Sequence, residues 1–163
     1  MKIEFCIESI IAAQAAEKFG AHRVELCSNL NKDGLTPNKQ LIINCAKVYF
    51  GEIHIMIRPR EGDFIYTDSE IIQMKTDISL AKKLNVKGVV FGALNKDNSI
   101  DRKTNSALIY HAKQLGLTTT FHRAFDYCKN PINSLHQIID IKFDRLLSSG
   151  QEQKAEDGIN LLK

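Results

Sequence analysis

The residues with the richest chemistry stand at the ends of short apolar runs. The stretch TTTFHRAFDYC, residues 118–128, begins as a β-branched run and then presents His122, Arg123 and Asp126 within five positions. A histidine can act as an acid, a base or a metal ligand near neutral pH. A lone histidine in a strand is more often a packed core residue, so the neighbouring charges are what favour a functional site here.

The segment IRPREGDF supplies a second group of charges, Arg58, Arg60 and Asp63. A guanidinium presents a fixed fork of donors that suits a carboxylate or a phosphate. Together with Arg123 and Asp126, these three residues are the predicted binding residues for a small anionic ligand. The alternative is that Arg60 and Asp63 only pair with each other across a turn.

Two glutamates, Glu4 and Glu25, lie in two successive apolar runs with matching parity, which places them on the same face of neighbouring strands. Two carboxylates held close together raise the pKa of one of them and can divide the roles of acid and base. With His122 they are the predicted catalytic candidates. The alternative is a buried polar layer in which they pair with Arg58 or His54.

Cys6 and Cys27 end the same face of the first two runs, so their side chains are expected to be neighbours. Soft thiolates, together with Met56 and the histidines, suit Cu(I), and the two cysteines are the predicted metal ligands. The alternative is structural, because free cysteine is among the most buried residue types. The four cysteines contain no C-x-x-C pair, which argues against a zinc knuckle or a thioredoxin-like motif.

Six β-branched runs alternate with longer amphipathic segments that read as helices. The starts of the runs lie 20 to 34 residues apart, which is the spacing of successive βα units. The runs are KIEFCI (2–7), HRVELC (22–27), IHIMIR (53–58), KGVVFG (87–92), TTTFH (118–122) and DRLLSS (144–149).

Several local signals place the helix ends. Thr67 and Glu70 form a T-x-x-E capping box, while Thr36-Pro37 and Asn130-Pro131 each put a capping side chain before a proline. A left-handed residue suits the position just after a helix. The residues predicted to end helices in this way are Gly20, Asn85 and Gly116.

Two architectures accommodate this pattern, an open doubly wound sheet and a (β/α)8 barrel. No G-x-G-x-x-G motif follows the first run, so a dinucleotide-binding sheet loses its main support. Polar residues recur on one face of several runs, whereas the strands of an open parallel sheet are apolar on both faces. The predicted fold class is therefore α/β, an incomplete TIM-like (β/α) barrel of about six βα units.

The composition argues against several classes of partner. The chain has 163 residues and a net charge of +3, and its basic runs are no longer than pairs such as Lys82-Lys83, so no nucleic-acid partner is expected. Glu4 and Glu8 interrupt the apolar N-terminus, so neither a signal peptide nor a membrane span is expected. The expected location is the cytoplasm, with reduced cysteines.

Five segments, RVELC, GLTP, IRPREGDFIYTD, FHRAFDYCKNP and SSGQ, resemble in this order the signature segments of the copper homeostasis protein CutC family. The resemblance covers the chain from IEFCIES to Gln151. It implies a TIM-like barrel, a cytoplasmic location, a homodimer or higher homo-oligomer, and a role in copper homeostasis with Cu(I) binding. The family positions matched here are Glu4, Glu25, Arg58, Arg60, Asp63, His122, Arg123 and Asp126.

The sequence stops at Lys163, inside the predicted sixth helix KAEDGINLLK. The expected domain, residues 1–163, therefore lacks the last two βα units of the family, and its two edge strands are expected to be closed by association. Three functions are open at this point: a CutC-like Cu(I)-binding protein, a lyase, isomerase or hydrolase acting on a small anionic metabolite, or an inactive truncated remnant.

Overall fold

A computed structural model describes residues 1–163 and contains one parallel sheet of six strands in the order β1-β2-β3-β4-β5-β6. Each strand pairs with the next one along the chain, which is the order of a barrel; a doubly wound sheet reverses its strand order at a switch point. The predicted α/β class and incomplete TIM-like barrel are confirmed. The strands are β1 (Glu4–Ile7), β2 (Arg23–Leu26), β3 (Glu52–Met56), β4 (Gly88–Phe91), β5 (Thr118–Phe121) and β6 (Arg145–Leu146).

Six α-helices connect and follow the strands. They are α1 (Ile10–Lys18), α2 (Lys39–Ala46), α3 (Asp68–Lys83), α4 (Arg102–Gln114), α5 (Pro131–Asp140) and α6 (Ile159–Leu162). Two short 3-10 helices, Leu30–Lys32 and Arg123–Tyr127, lie in the loops after β2 and β5. No helix combines the length and the apolar character needed to cross a membrane.

The capping predictions are confirmed at two helices. The Thr67 hydroxyl accepts a hydrogen bond from the backbone N–H of Glu70 at 3.3 Å, and the Glu70 carboxylate accepts one from the Thr67 N–H at 2.7 Å. Asn130 caps α5, with Pro131 as its first residue. The three predicted helix-ending residues all have positive φ: Gly20 (71°), Asn85 (59°) and Gly116 (71°).

The prediction for Thr36 was wrong. Helix α2 begins at Lys39 and is capped by the side chain of Asn38. The Thr36 hydroxyl instead accepts a hydrogen bond from the backbone N–H of Arg58 at 2.8 Å, which ties the loop after β2 to the end of β3. The predicted sixth helix is also shorter than its sequence suggested, because only Ile159–Leu162 is helical.

The two faces of the sheet differ in chemistry. The outer face packs under the helices in one cluster of 21 buried apolar residues, among them Val24, Leu26, Ile55 and Phe91. Burying each such side chain stabilises the fold by about 1.5–3 kcal/mol. The inner face carries the polar residues, and the register places Glu25 beside Cys6 on one side and beside His54 on the other. The alternation along the strands therefore separates the core from the site.

Candidate functional site

The inner face holds two polar layers, and the lower layer lies at the N-terminal ends of the strands. Arg23 joins two carboxylates there: its Nη1 donates to Glu4 Oε2 at 2.6 Å and its Nε to Glu52 Oε2 at 3.1 Å. Glu4 is thus paired with an arginine on the neighbouring strand. The structure does not bring Glu4 into the same layer as Glu25, which lies two residues further along β2 than Arg23.

The lower layer continues with His54 and Arg145. Arg145 Nη2 lies 3.1 Å from His54 Nδ1 and donates to the Thr118 hydroxyl at 2.8 Å. Burial lowers the pKa of His54 to about 3, and the charges of Arg145 and Arg23 act in the same direction. The imidazole is therefore neutral near pH 7 and accepts from Arg145, because only a neutral histidine has an acceptor nitrogen.

The upper layer begins with Cys6, Glu25 and Cys27. The two Sγ atoms lie 3.7 Å apart, and Glu25 Oε1 lies 3.5 Å from Cys6 Sγ and 3.7 Å from Cys27 Sγ. Glu25 Oε2 is buried without a hydrogen-bond partner. The predicted neighbourhood of the two cysteines is observed, with a carboxylate between them.

The environment raises the pKa of the buried groups in this cluster. Burial raises the pKa of Glu25 to about 7, and the charge of Glu4 adds to the shift. The hydrogen bond with Cys6, followed by burial, raises the pKa of Cys27. The Cys27 thiol is therefore protonated at neutral pH in the metal-free protein, and a metal that takes it as a thiolate ligand must displace that proton.

Met56 brings a third sulfur-containing side chain to the cluster. A Cβ atom placed on Gly34 would lie 3.1 Å from Cys27 Sγ and 3.6 Å from Met56 Cε. Gly34 also has a φ of +80°, so glycine suits this position both in conformation and in space. The loop after β2 thus packs closely against the Cys27 thiol and the end of the Met56 side chain.

His122 also lies at the upper layer, and one of its ring nitrogens, Nε2, is a donor without a partner. Its Nδ1 accepts a hydrogen bond from the Ala124 N–H at 3.2 Å, so the proton of the neutral ring is on Nε2. That Nε2 is buried without a partner. Burial lowers the pKa of His122 to about 3, with the charge of Arg58 as the second cause. His122 is therefore a neutral donor across the physiological pH range.

Arg58 is buried and fixes the loops around it. Its Nη1 donates to the carbonyls of Lys32 at 3.0 Å and Gly34 at 3.4 Å, and its Nη2 to that of Gly62 at 2.8 Å. The guanidinium lies 4.8 Å from the centre of the Phe64 ring. Its Nε has no partner. Nε is therefore the one nitrogen of this guanidinium that has no partner in the protein and is left for a ligand.

Arg60 and Asp63 form a local network. Arg60 donates from Nη2 to Asp63 Oδ1 at 2.8 Å and to the Ile65 carbonyl at 2.7 Å, and from Nε to Glu70 Oε1 at 2.6 Å. These bonds connect the loop after β3 to the capping box of α3. The geometry agrees with the alternative in which Arg60 and Asp63 pair across a turn.

Asp126 organises the loop after β6. Its carboxylate accepts from the hydroxyls of Ser148 at 2.6 Å and Ser149 at 3.0 Å, from the Gln151 N–H at 3.1 Å and from Arg123 Nε at 2.7 Å. Arg123 also donates to the Ser149 hydroxyl at 2.5 Å. Asp126 and Arg123 therefore hydrogen-bond to each other and to the loop after β6.

A cavity of about 510 Å³ opens on the upper layer, and it is called the large cavity below. Of the residues predicted from the sequence, those in its wall are Cys6, Glu25, Arg58, His122 and Arg123. Those outside its wall are Glu4, Cys27, Arg60, Asp63 and Asp126. A smaller cavity of about 280 Å³ adjoins it and shares Arg58 and Phe64.

Sequence reasoning missed the apolar part of this wall, which includes Leu30, Phe64, Tyr127 and Leu147. Phe64 and Tyr127 lie 5.6 Å apart between ring centres, and Phe64 lies 4.9 Å from the His122 ring. Both aromatic residues stand within the two charged segments that drew attention first. Their place in the sequence, next to the charged residues of these segments, could have indicated that they line the same cavity.

Comparisons with known proteins identify the family. A model of the CutC family matches residues 1–163. The CutC protein of Glaesserella parasuis is 43% identical over 163 residues, which are 100% of this chain and 66% of that protein. The CutC protein of Vibrio cholerae is 45% identical over 161 residues, 99% of this chain and 63% of that protein. The chain thus spans about two thirds of the length of these relatives.

A solved structure shares the fold. The CutC protein of Streptococcus agalactiae, whose name links it to copper homeostasis, is similar with a TM-score of 0.90 and 31% identity, over 99% of this chain and 80% of that one. The family match over all residues and the identity to these relatives agree with each other. This chain therefore belongs to the CutC family.

Proposed function

We propose that this chain serves copper homeostasis in the cytoplasm by binding Cu(I) between Cys6 and Cys27. The observation that carries the proposal is the 3.7 Å separation of the two Sγ atoms at the ends of neighbouring strands. The name of the Streptococcus agalactiae relative supports the link to copper. Reduced thiols are the ordinary state of cytoplasmic cysteines, and Cu(I) requires them in that state.

The donors present fit a soft monovalent cation. Two thiols and a nearby thioether are the ligand types that select Cu(I), and the group that could hold a metal, Cys6, Glu25 and Cys27, contains no imidazole. Its ligand atoms all lie within 4.8 Å of one another. A structural zinc site would need four nitrogen, sulfur or oxygen ligands. The cluster therefore favours Cu(I) over Zn²⁺.

A competition titration with a Cu(I) chelator under anaerobic, reducing conditions tests this site. The double variant Cys6→Ser/Cys27→Ser is expected to lose more affinity than the about 10- to 100-fold that follows loss of an outer-shell partner. Cys128→Ser is the matched control, because a serine hydroxyl can keep the bond from that position to the Ala124 carbonyl. Equal affinity of the wild type and the double variant would remove these ligands from the proposal.

A second candidate function is supported by a separate observation in the large cavity. Three side chains in its wall, Glu25, Arg58 and His122, each carry a buried polar atom without a partner. Such atoms cost free energy in the ligand-free protein and gain partners when a ligand supplies them. We therefore propose, as the alternative, a lyase, isomerase or hydrolase acting on a small anionic metabolite. Turnover of such a metabolite that disappears in His122→Asn, with Cu(I) binding retained, is the result expected of an enzyme.

A further inference from the structure

We propose that Arg58 and His122 bind the carboxylate of a small hydroxy acid in the large cavity, with Glu25 accepting from its hydroxyl group. The proposal rests on the second function above and names its ligand class. Because Glu25 also contacts both proposed copper ligands, the test uses the metal-free protein. The three side chains belong to three different strands or strand ends, and all three lie in the wall of this one cavity.

The charge of Arg58 calls for an anion. Its exposed fraction is 3%, and no carboxylate lies within ion-pair distance of it. The only other arginine without such a carboxylate, Arg145, is held by His54, Thr118 and Thr120 in the lower layer. A buried cation without a counter-ion is costly, so an anionic group in the cavity would stabilise this region. Arg58 is therefore the cation available to a ligand.

The two free donors indicate a carboxylate. Arg58 Nε–H and His122 Nε2–H are the buried nitrogens without partners in this wall, and neither is used by the protein. A phosphate group offers three acceptor oxygens and is usually held by several donors and more than one cation. Arg123, the other cation in this wall, is paired with Asp126, and its Nε and Nη2 are engaged with Asp126 and Ser149. Two N–H groups match the two oxygens of a carboxylate.

The third atom without a partner specifies a hydroxyl group on the ligand. Glu25 Oε2 is an acceptor when ionised, and an O–H of the ligand is its complement. The wall is otherwise partly apolar, with Leu30, Phe64 and Tyr127. A volume of about 510 Å³ lies in the range of small-molecule sites. All three atoms are buried, so a ligand reaches them only if the wall opens locally. Its bonds to them then lie in a region of low dielectric.

Isothermal titration calorimetry with glycerate tests the inference, with glycerol and inorganic phosphate as comparison ligands. Two variants of His122 separate its roles. His122→Asn can keep the cap on the Ala124 N–H but loses the donor at Nε2, whereas His122→Gln places an amide N–H near the Nε2 position and loses the cap. Binding of glycerate is expected to weaken about 10- to 100-fold in His122→Asn, the loss that follows removal of one hydrogen bond to a charged group.

The inference expects His122→Gln to bind glycerate more tightly than His122→Asn does, even where its thermal stability is the lower of the two. Absence of glycerate binding to the wild type would overturn the inference, as would equal binding of glycerol or tighter binding of phosphate. Equal glycerate affinity in the wild type and His122→Asn would also overturn it. Turnover of a phosphorylated metabolite without glycerate binding would contradict the ligand class while the enzyme function stands.

Discussion

Arg58 and Arg60 leave the same strand end but meet different surroundings. Arg60 finds the carboxylates of Asp63 and Glu70 within ten residues along the chain, so its charge is neutralised locally. Arg58 is buried, and its guanidinium donates hydrogen bonds only to carbonyl groups, those of Lys32, Gly34 and Gly62. Arg60 therefore stabilises a loop, whereas Arg58 keeps a net charge beside the large cavity.

His54 gives a pH dependence that can be predicted at the scale of one residue. Its folded-state pKa of about 3 lies below the ordinary value of 6.5, so the stabilisation it provides is complete above pH 6.5 and is lost as the pH falls toward 3. Relative to about pH 8, the loss at pH 5 is about 2 kcal/mol in the free energy of unfolding. His54→Gln is expected to remove this part of the slope in urea unfolding.

The control for His54 is His136→Gln, which changes an exposed histidine on α5. Its pH profile of stability is expected to follow that of the wild type. Since His122 is also buried and neutral, a slope remains in His54→Gln, and the comparison concerns the difference between the two profiles. An unchanged slope in His54→Gln would contradict a buried, neutral His54.

The sequence predicted on which face of the sheet a side chain lies, but it did not predict in which of the two polar layers the side chain lies. Alternation along the strands correctly grouped Cys6 with Cys27 and placed His122 toward the cavity. The same rule grouped Glu4 with Glu25, whereas the structure pairs Glu4 with Arg23. The reason is geometric, because parity identifies the side of a sheet, and the height of a side chain depends on how neighbouring strands are staggered.

At the scale of elements, local sequence patterns correctly predicted a helix end whose backbone groups are capped by residues of the same turn. The box of Thr67 and Glu70 needs only residues within one turn, and it was predicted correctly. Thr36 failed as a cap because its hydroxyl meets Arg58, a residue 22 positions away that no local rule includes. Loops that hold a site use their polar side chains for long-range bonds, so their sequences predict local structure less well.

Helix α3 allows a test of the capping box. Thr67→Ala removes the acceptor for the Glu70 N–H, and it is expected to lower the free energy of unfolding by about 1 kcal/mol. The matched control is Thr76→Ala on the exposed middle of the same helix, where alanine has the higher helix propensity and stability is expected to hold or rise slightly. Chemical denaturation of both variants gives the comparison. An equal effect at the two positions would contradict the cap.

At the scale of the whole chain, the sheet formed by residues 1–163 has two edge strands. Strand β1 pairs only with β2, and β6 pairs only with β5. Both edges carry exposed apolar side chains: Ile3 just before β1, Phe5 on β1, and Leu147 just after β6. Unpaired edges with apolar residues are templates for pairing with another chain. We therefore propose that this chain forms homodimers or higher homo-oligomers through these edges.

If the chain associates through its edge strands, a charged side chain introduced on an edge strand is expected to dissociate the oligomer. Phe5→Lys places a lysine on β1, where it opposes edge-to-edge pairing, and it is expected to shift sedimentation from an associated species to the monomer. Ile72→Lys changes an apolar residue on α3 that is more exposed than Phe5 and lies away from both edges, and it is expected to leave the distribution unchanged. Because an obligate oligomer has a concentration-dependent melting temperature, the wild type is expected to melt at higher temperature as the protein concentration rises. A wild-type monomer at micromolar concentration with a sharp, high-temperature unfolding transition would contradict association, and it would mean that the six-stranded sheet is stable with both edges open.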